Sequence, residues 1–144
     1  MTSGNDNGTA AMQGRRALII DDSRATRAMI RRQLEGMGFA VAEAGDGRDG
    51  LQALERGERF DLALVDWNMP VMDGLAFVKA MRGDRRFAGV VVVMVSSESD
   101  PAKMARALMK GADDYVIKPL SADALASKLE ALDAWRVLTL DGHR

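Results

Sequence analysis

Three aspartates, a serine and a lysine carry the chemistry this sequence offers. Asp21 and Asp22 follow the apolar run Ala17-Leu18-Ile19-Ile20, and Asp66 follows Leu62-Ala63-Leu64-Val65. Ser96 and Ser97 follow the run from Val90 to Val95, and Lys118 and Pro119 follow Tyr115-Val116-Ile117. Carboxylates crowded together repel, and their pKa values rise unless a cation intervenes. One lysine cannot neutralise three of them. A hard divalent cation with oxygen ligands can, and Mg²⁺ suits because it takes one or two carboxylates and keeps waters. Such a site has spare positions for a phosphoryl group. Asp66 is then a candidate nucleophile, since carboxylates form covalent acyl phosphates. Lys118 is a compact charge suited to a phosphoryl oxygen, and Ser96 can donate a hydrogen bond to another.

These residues share one edge only if the runs before them are strands of one parallel sheet. The pattern supports this. Ala17 to Ile20, Phe39 to Ala44, Leu62 to Val65, Val90 to Val95 and Tyr115 to Ile117 read as five strands. The continuous apolar run at Val90 to Val95 is that of a strand buried on both faces, as in a parallel sheet. Between the strands lie helical stripes: Ile30, Leu34 and Met37; Leu51 and Leu54; Leu75, Val78 and Met81; Met104, Ala107 and Leu108; Leu125, Leu129 and Leu132. Asp100 with Pro101, and Ser121, read as helix starts. Gly36, Gly38 and Gly111 read as helix ends. Five βα units predict an α/β fold with helices on both faces of a parallel sheet. Its ligands would sit outside the carboxyl ends of the strands. Pattern alone leaves the strand order open, the flavodoxin-like order being one common choice.

Composition narrows the function further. The 144 residues include 20 Lys+Arg and 21 Asp+Glu, a formal net charge of −1, with 47% hydrophobic residues. That is one globular domain with a substantial core, and its charge argues against a nonspecific nucleic-acid binder. With no cysteine and a single histidine, His143 beside the end, disulfides, thiolate sites, histidine metal clusters and a Ser-His-Asp triad are set aside. No apolar run reaches the roughly 20 residues of a membrane helix, and no signal pattern opens the chain, so a cytoplasmic protein is expected. Residues 1–14 read as a mobile tail, 15–135 as the domain and 136–144 as a C-terminal tail. No G-x-x-x-x-G-K-[ST] or G-x-G-x-x-G loop follows the first strand, which disfavours a nucleotide-binding domain.

The pieces Ile20-Asp21-Asp22-Ser23, Asp66-Trp67-Asn68-Met69-Pro70, Asp73-Gly74, Val95-Ser96-Ser97-Glu98 and Tyr115-Val116-Ile117-Lys118-Pro119 together resemble the receiver domain of two-component response regulators. The likeness spans about Arg16 to Trp135. Among receivers the single-domain chemotaxis type, which shares the run from Asp66 to Pro70, looks most similar. The resemblance implies a three-layer, doubly wound (βα)₅ fold of flavodoxin-like strand order 2-1-3-4-5. It implies that Asp66 accepts a phosphoryl group from the phosphohistidine of a sensor histidine kinase or histidine phosphotransfer domain. Mg²⁺ would be held by Asp22, Asp66 and the backbone carbonyl of Asn68, with Asp21 acting through a water. Lys118, Ser96 and the backbone N–H groups of Trp67 and Ser97 would contact the phosphoryl oxygens. The Lys118–Pro119 peptide would be cis.

The same resemblance implies a switch. Ser96 turns toward the new phosphate, and Tyr115 moves from an outward to an inward rotamer. The surface of helix four, strand five and helix five changes, and a downstream protein target reads it. Asn68 and Glu98 would tune dephosphorylation and make it comparatively fast. The expected partners are proteins, with no direct DNA binding and no membrane, and the chain would be a monomer or a phosphorylation-dependent dimer. Several positions depart from the family. Leu120 stands where an aromatic is common, and Ser96 replaces the more frequent threonine. Asp100-Pro101 begins a helix in which flagellar-switch binders tend to carry lysines. Arg24, Arg27, Arg31 and Arg32 form a basic set on helix one, read as a solvated face or as a docking edge for a phosphotransfer domain. Two alternatives accompany this reading: a relay intermediate that passes the phosphoryl group on, and a Mg²⁺-dependent phosphohydrolase with an aspartyl nucleophile. The second would place an acid two residues after the nucleophile, where this chain has Asn68.

Overall fold

The computed structural model describes the backbone of residues 14–143 and the side chains of residues 14–132. The N-terminal tail expected over 1–14 therefore lies, apart from Gly14, outside the described residues. Five strands alternate with five helices: β1 (Arg16–Ile20), α1 (Arg24–Gly36), β2 (Ala40–Ala44), α2 (Gly47–Glu55), β3 (Leu62–Val65), α3 (Gly74–Arg82), β4 (Val91–Ser96), α4 (Pro101–Lys110), β5 (Asp114–Ile117) and α5 (Ala122–His143). A short 3₁₀ turn, Arg85–Phe87, follows α3.

The strands form one parallel sheet in the order β2-β1-β3-β4-β5. Period-two alternation along the central strands builds two cores. Leu18, Ile20, Ala63, Val65, Val92 and Met94 face one side with Leu54, Phe77, Val78, Met81 and Ala107, brought by α2, α3 and α4. Ala17, Ile19, Leu62, Leu64, Val93 and Val95 face the other with Ile30, Leu34, Leu125 and Leu129, brought by α1 and α5. The central strands β3 and β4 are almost wholly apolar because both of their faces are covered. The edge strand β2 is only partly buried.

Side-chain caps set the helix starts. Ser23, Asp46, Asp73, Asp100 and Ser121 each accept a backbone N–H from the first turn of α1, α2, α3, α4 and α5 in turn. These bonds satisfy donors that a helix N-terminus otherwise leaves unpaired. Ser23, Asp100 and Ser121 lie in the short turns after β1, β4 and β5, so turns that carry chemistry also start helices.

Some expectations are corrected. Leu108 is 44% exposed and does not face the core. The buried stripe of α4 centres on Ala107, and the next residue, about 100° round the helix, falls on its solvent flank. Met37 is buried but caps α1 from outside it. Phe77, not singled out in the sequence, is completely buried. Helix α5 continues through His143.

Candidate functional site

The hydrogen-bond ladder of the sheet extends one step beyond the strands. Asp21 N–H donates to the Ala44 carbonyl, Asp66 N–H to Ile20, and Lys118 N–H to Ser96. These three bonds place Asp21, Asp66, Ser96 and Lys118 side by side at the carboxyl edge. They lie around the switch point between β1 and β3, where the chain reverses its direction of winding. The Lys118–Pro119 peptide is cis, as expected.

Asp21, Asp22 and Asp66 each offer a carboxylate oxygen, and these oxygens all lie within 4.8 Å of one another. Asp21 and Asp66 are buried, whereas Asp22 is exposed. Two unit charges at this separation repel by about 3 kcal/mol at an effective dielectric of about 20. Lys118 is the cation in direct contact: its Nζ lies 2.9 Å from Asp21 Oδ2 and 3.5 Å from Asp66 Oδ1. One positive charge against three negative leaves the cluster under-compensated.

The titration properties follow. Burial and then the Asp21 charge hold the Asp66 carboxyl above its ordinary value, against the opposing pull of Lys118 and the Trp67 N–H. Burial alone would lower the Lys118 ammonium, but the hydrogen bond and charge of Asp21, with the charge of Asp66, carry it above the usual lysine range. Asp66 therefore suffers from its surroundings while Lys118 gains from them. An oxygen-only donor set of this size, short of positive charge, fits a hard divalent cation such as Mg²⁺.

The rest of the candidate set gathers round this cluster. Trp67 N–H donates to Asp66 Oδ1 at 2.9 Å. Ser96 is fully buried, and its Oγ accepts Glu98 N–H at 3.1 Å. Tyr115 is buried, and its hydroxyl donates to the Glu98 carbonyl at 2.8 Å. Burial raises this phenol above its ordinary value. The Trp67 ring lies 6.4 Å from the Tyr115 ring, centroid to centroid, so Trp67 joins the acidic site to the aromatic on β5. Asn68 and Ser97 are exposed on the loops after β3 and β4. The Glu98 carboxylate turns to the start of α4, accepting Asp100 N–H at 3.1 Å and pairing with Lys103 at 3.3 Å. These two bonds, the Asp100 N–H first, keep its carboxyl below the ordinary range. Leu120 fills the core beside α5.

Two features escaped the sequence reading. Gly74 was read as part of a turn, but a Cβ there would stand 2.0 Å from the Asp66 carbonyl oxygen. Only glycine lets α3 start against the loop that carries Asp66. The arginine set on α1 also divides. Arg27 and Arg31 pair with Glu43 on β2, while Arg24 and Arg32 are exposed. A charged residue at the fourth position of an edge strand was the only signal for that division.

A family model of the response regulator receiver domain matches residues 17–130, and the chain belongs to that family. It is 38% identical over 116 residues to the chemotaxis protein CheY of Pseudomonas aeruginosa, covering 80% of this chain and 93% of that one. It is 34% identical over 116 residues to CheY1 of Helicobacter pylori, covering 80% of this chain and 94% of that one. The structure of the chemotaxis response regulator CheY4 of Vibrio cholerae superposes with a TM-score of 0.76 at 34% identity, covering 82% of this chain and 98% of that one. The protein is thus a CheY-like receiver of two-component signalling, a signalling protein rather than a conventional enzyme. Its Asp21, Asp22 and Asp66 form the acidic pocket typical of the phosphorylation site, and membership of the family implies a histidine kinase partner. Among the described residues no helix is long and apolar enough to cross a membrane.

Proposed function

We propose that this receiver is a phosphorylation-dependent switch that takes a phosphoryl group onto Asp66 from the phosphohistidine of a sensor kinase or phosphotransfer domain. The observation that carries the reading is the arrangement of three carboxylates and one shared ammonium at the carboxyl edge of a receiver fold. Asp22, Asp66 and the Asn68 carbonyl would hold Mg²⁺, with Asp21 acting through a water. When bound, Mg²⁺ supplies the positive charge that the carboxylates and the transferring phosphoryl oxygens lack. A carboxylate oxygen of Asp66 attacks phosphorus. The P–N bond of the phosphohistidine breaks, its electron pair passes to the imidazole nitrogen, and a P–O bond to Asp66 forms. Lys118 shifts its contact from the carboxylates to a phosphoryl oxygen, and Ser96 with the Trp67 and Ser97 N–H groups binds the others. Transfer of this kind is mostly positioning and charge neutralisation.

The phosphate brings a charge of about −1.5 to −2, which draws Ser96 away from the Glu98 N–H. Glu98 also supplies the carbonyl that holds the Tyr115 hydroxyl, so the β4–α4 loop and Tyr115 respond together. The readout face is α4, β5 and α5, where Leu108, Met109 and Ile117 are exposed at 44%, 85% and 42%. A protein target is the expected reader, and the cytoplasm is the expected setting. Asn68 is exposed two residues after Asp66, and we assign it to the path of an attacking water. A bulkier residue there should slow loss of the phosphoryl group, and an unchanged decay rate would remove Asn68 from this role.

Incubation with Mg²⁺ and acetyl phosphate, followed by intact mass and Trp67 fluorescence, tests the proposal. One added phosphate is expected on the wild type and none on Asp66→Asn. A gain that survives in Asp66→Asn would put the nucleophile elsewhere.

A further inference from the structure

Asp21 is fixed at every polar atom it has. Its N–H donates to the Ala44 carbonyl, Oδ1 accepts Ser23 N–H and Oδ2 accepts Lys118. The remaining atom, the backbone carbonyl, accepts Nη1–H of Arg27. That peptide unit joins Asp21 to Asp22, so the bond orients the link between two members of the acidic cluster. Arg27 is itself held in place: its Nε donates to Glu43 Oε1 at 2.9 Å, and its side chain is only 17% exposed. Arg31 supports Glu43 from the other oxygen at 2.6 Å and also pairs with Glu35. The Arg31 hydrogen bond, followed by burial acting against it and the Arg27 hydrogen bond, leaves the Glu43 carboxyl below the ordinary range. It therefore stays ionised beside Arg27.

From this geometry we infer that Arg27, braced by Glu43, is a positioning residue for the divalent-cation site, acting through the Asp21–Asp22 peptide. The inference rests on the reading of the acidic cluster as a Mg²⁺ site. Two effects of Arg27 on a cation compete. Its charge repels a divalent ion, while its hydrogen bond orders the turn that presents Asp22. Glu43 and Glu35 together offset the charges of Arg27 and Arg31 at contact distance, so ordering decides the sign. Residues that orient metal ligands typically change affinity by about 10- to 100-fold.

The test is a Mg²⁺ titration followed by Trp67 fluorescence and by calorimetry, on wild type, Arg27→Gln, Arg27→Lys and Glu43→Gln, each with its thermal midpoint. Arg27→Gln should weaken Mg²⁺ binding by about tenfold, and the loss should persist at high salt, where charge repulsion is screened. Arg27→Lys keeps one donor and should recover part of the affinity. Glu43→Gln should weaken binding less than Arg27→Gln does. Unchanged affinity in a folded Arg27→Gln, or tighter binding that salt abolishes, would overturn the inference. A wild type with no Mg²⁺ response would instead remove the metal-site reading beneath it.

Discussion

The two edges of the sheet treat charge in opposite ways. At the carboxyl edge, three carboxylates share one ammonium, and Asp66 is held with its charge disfavoured. At the opposite edge, the charged groups are matched. Arg82 at the end of α3 donates to the carbonyls of Gly111 and Phe87, and pairs with Asp113 at 2.9 Å. Asp113 in turn accepts Val92 N–H at 2.8 Å. This network ties the end of α3, the 3₁₀ turn, the start of β4 and the α4–β5 turn together. One edge stores electrostatic tension for a ligand to relieve, and the other spends its charges on holding the fold. Charged clusters at functional sites commonly carry such tension, while structural ones are satisfied by their neighbours.

The contrast can be broken most sharply at Gly74. Gly74→Ala would place a Cβ inside the Asp66 carbonyl, which should cost about 3 kcal/mol or more. Urea unfolding together with a Mg²⁺ titration would show both lower stability and a weakened metal response. Wild-type behaviour would mean that α3 need not approach Asp66 so closely.

At the other edge, Arg82→Met should cost about 2–3 kcal/mol, because it leaves partly buried carbonyls and Asp113 without their donor. Its Mg²⁺ affinity should match the wild type once corrected for the folded fraction. A selective loss of Mg²⁺ binding would show that the two edges are not independent.

The smallest expected effect gives the cleanest contrast of sign. In Mg²⁺-free buffer at neutral pH, Asp66→Asn should stabilise the protein and raise its Tm, because it removes a carboxylate whose charge its surroundings disfavour. Asp113→Asn should destabilise it, by about 1 kcal/mol. The pH dependence follows from the raised carboxyl of Asp66. Between its ordinary value of 3.8 and the higher folded value, the folded state binds more protons than the unfolded state. Wild-type stability therefore falls relative to Asp66→Asn as pH rises through that window, and the gap is complete above it. Addition of Mg²⁺ should close the gap. Equal pH profiles for wild type and Asp66→Asn would show that the cluster carries no such tension.

Much of this is legible in the amino-acid order. The five apolar runs, the helical stripes between them and the residue types at the ends of the runs come from local periodicity, and they appear at their places in the fold. Ser121 and Asp100 were readable as caps because the capping side chain lies next to the helix it starts. Leu108 was misplaced because a short stripe leaves the buried face uncertain by one position, about 100° of rotation. The four arginines of α1 looked alike because their spacing says nothing about β2. Only the pairing of β1 with β2 brings Glu43 under Arg27 and Arg31.

The amino-acid order by itself determined which segments are strands and helices, and which side chains stand at the ends of the strands. These depend on period and neighbour chemistry along the chain. Tertiary structure alone decided that Lys118 reaches both Asp21 and Asp66, that Gly74 lies against the Asp66 carbonyl, and that Arg27 serves the acidic turn rather than the solvent. Those contacts join residues far apart in the chain, and their geometry exists only after strand register and helix packing have been settled.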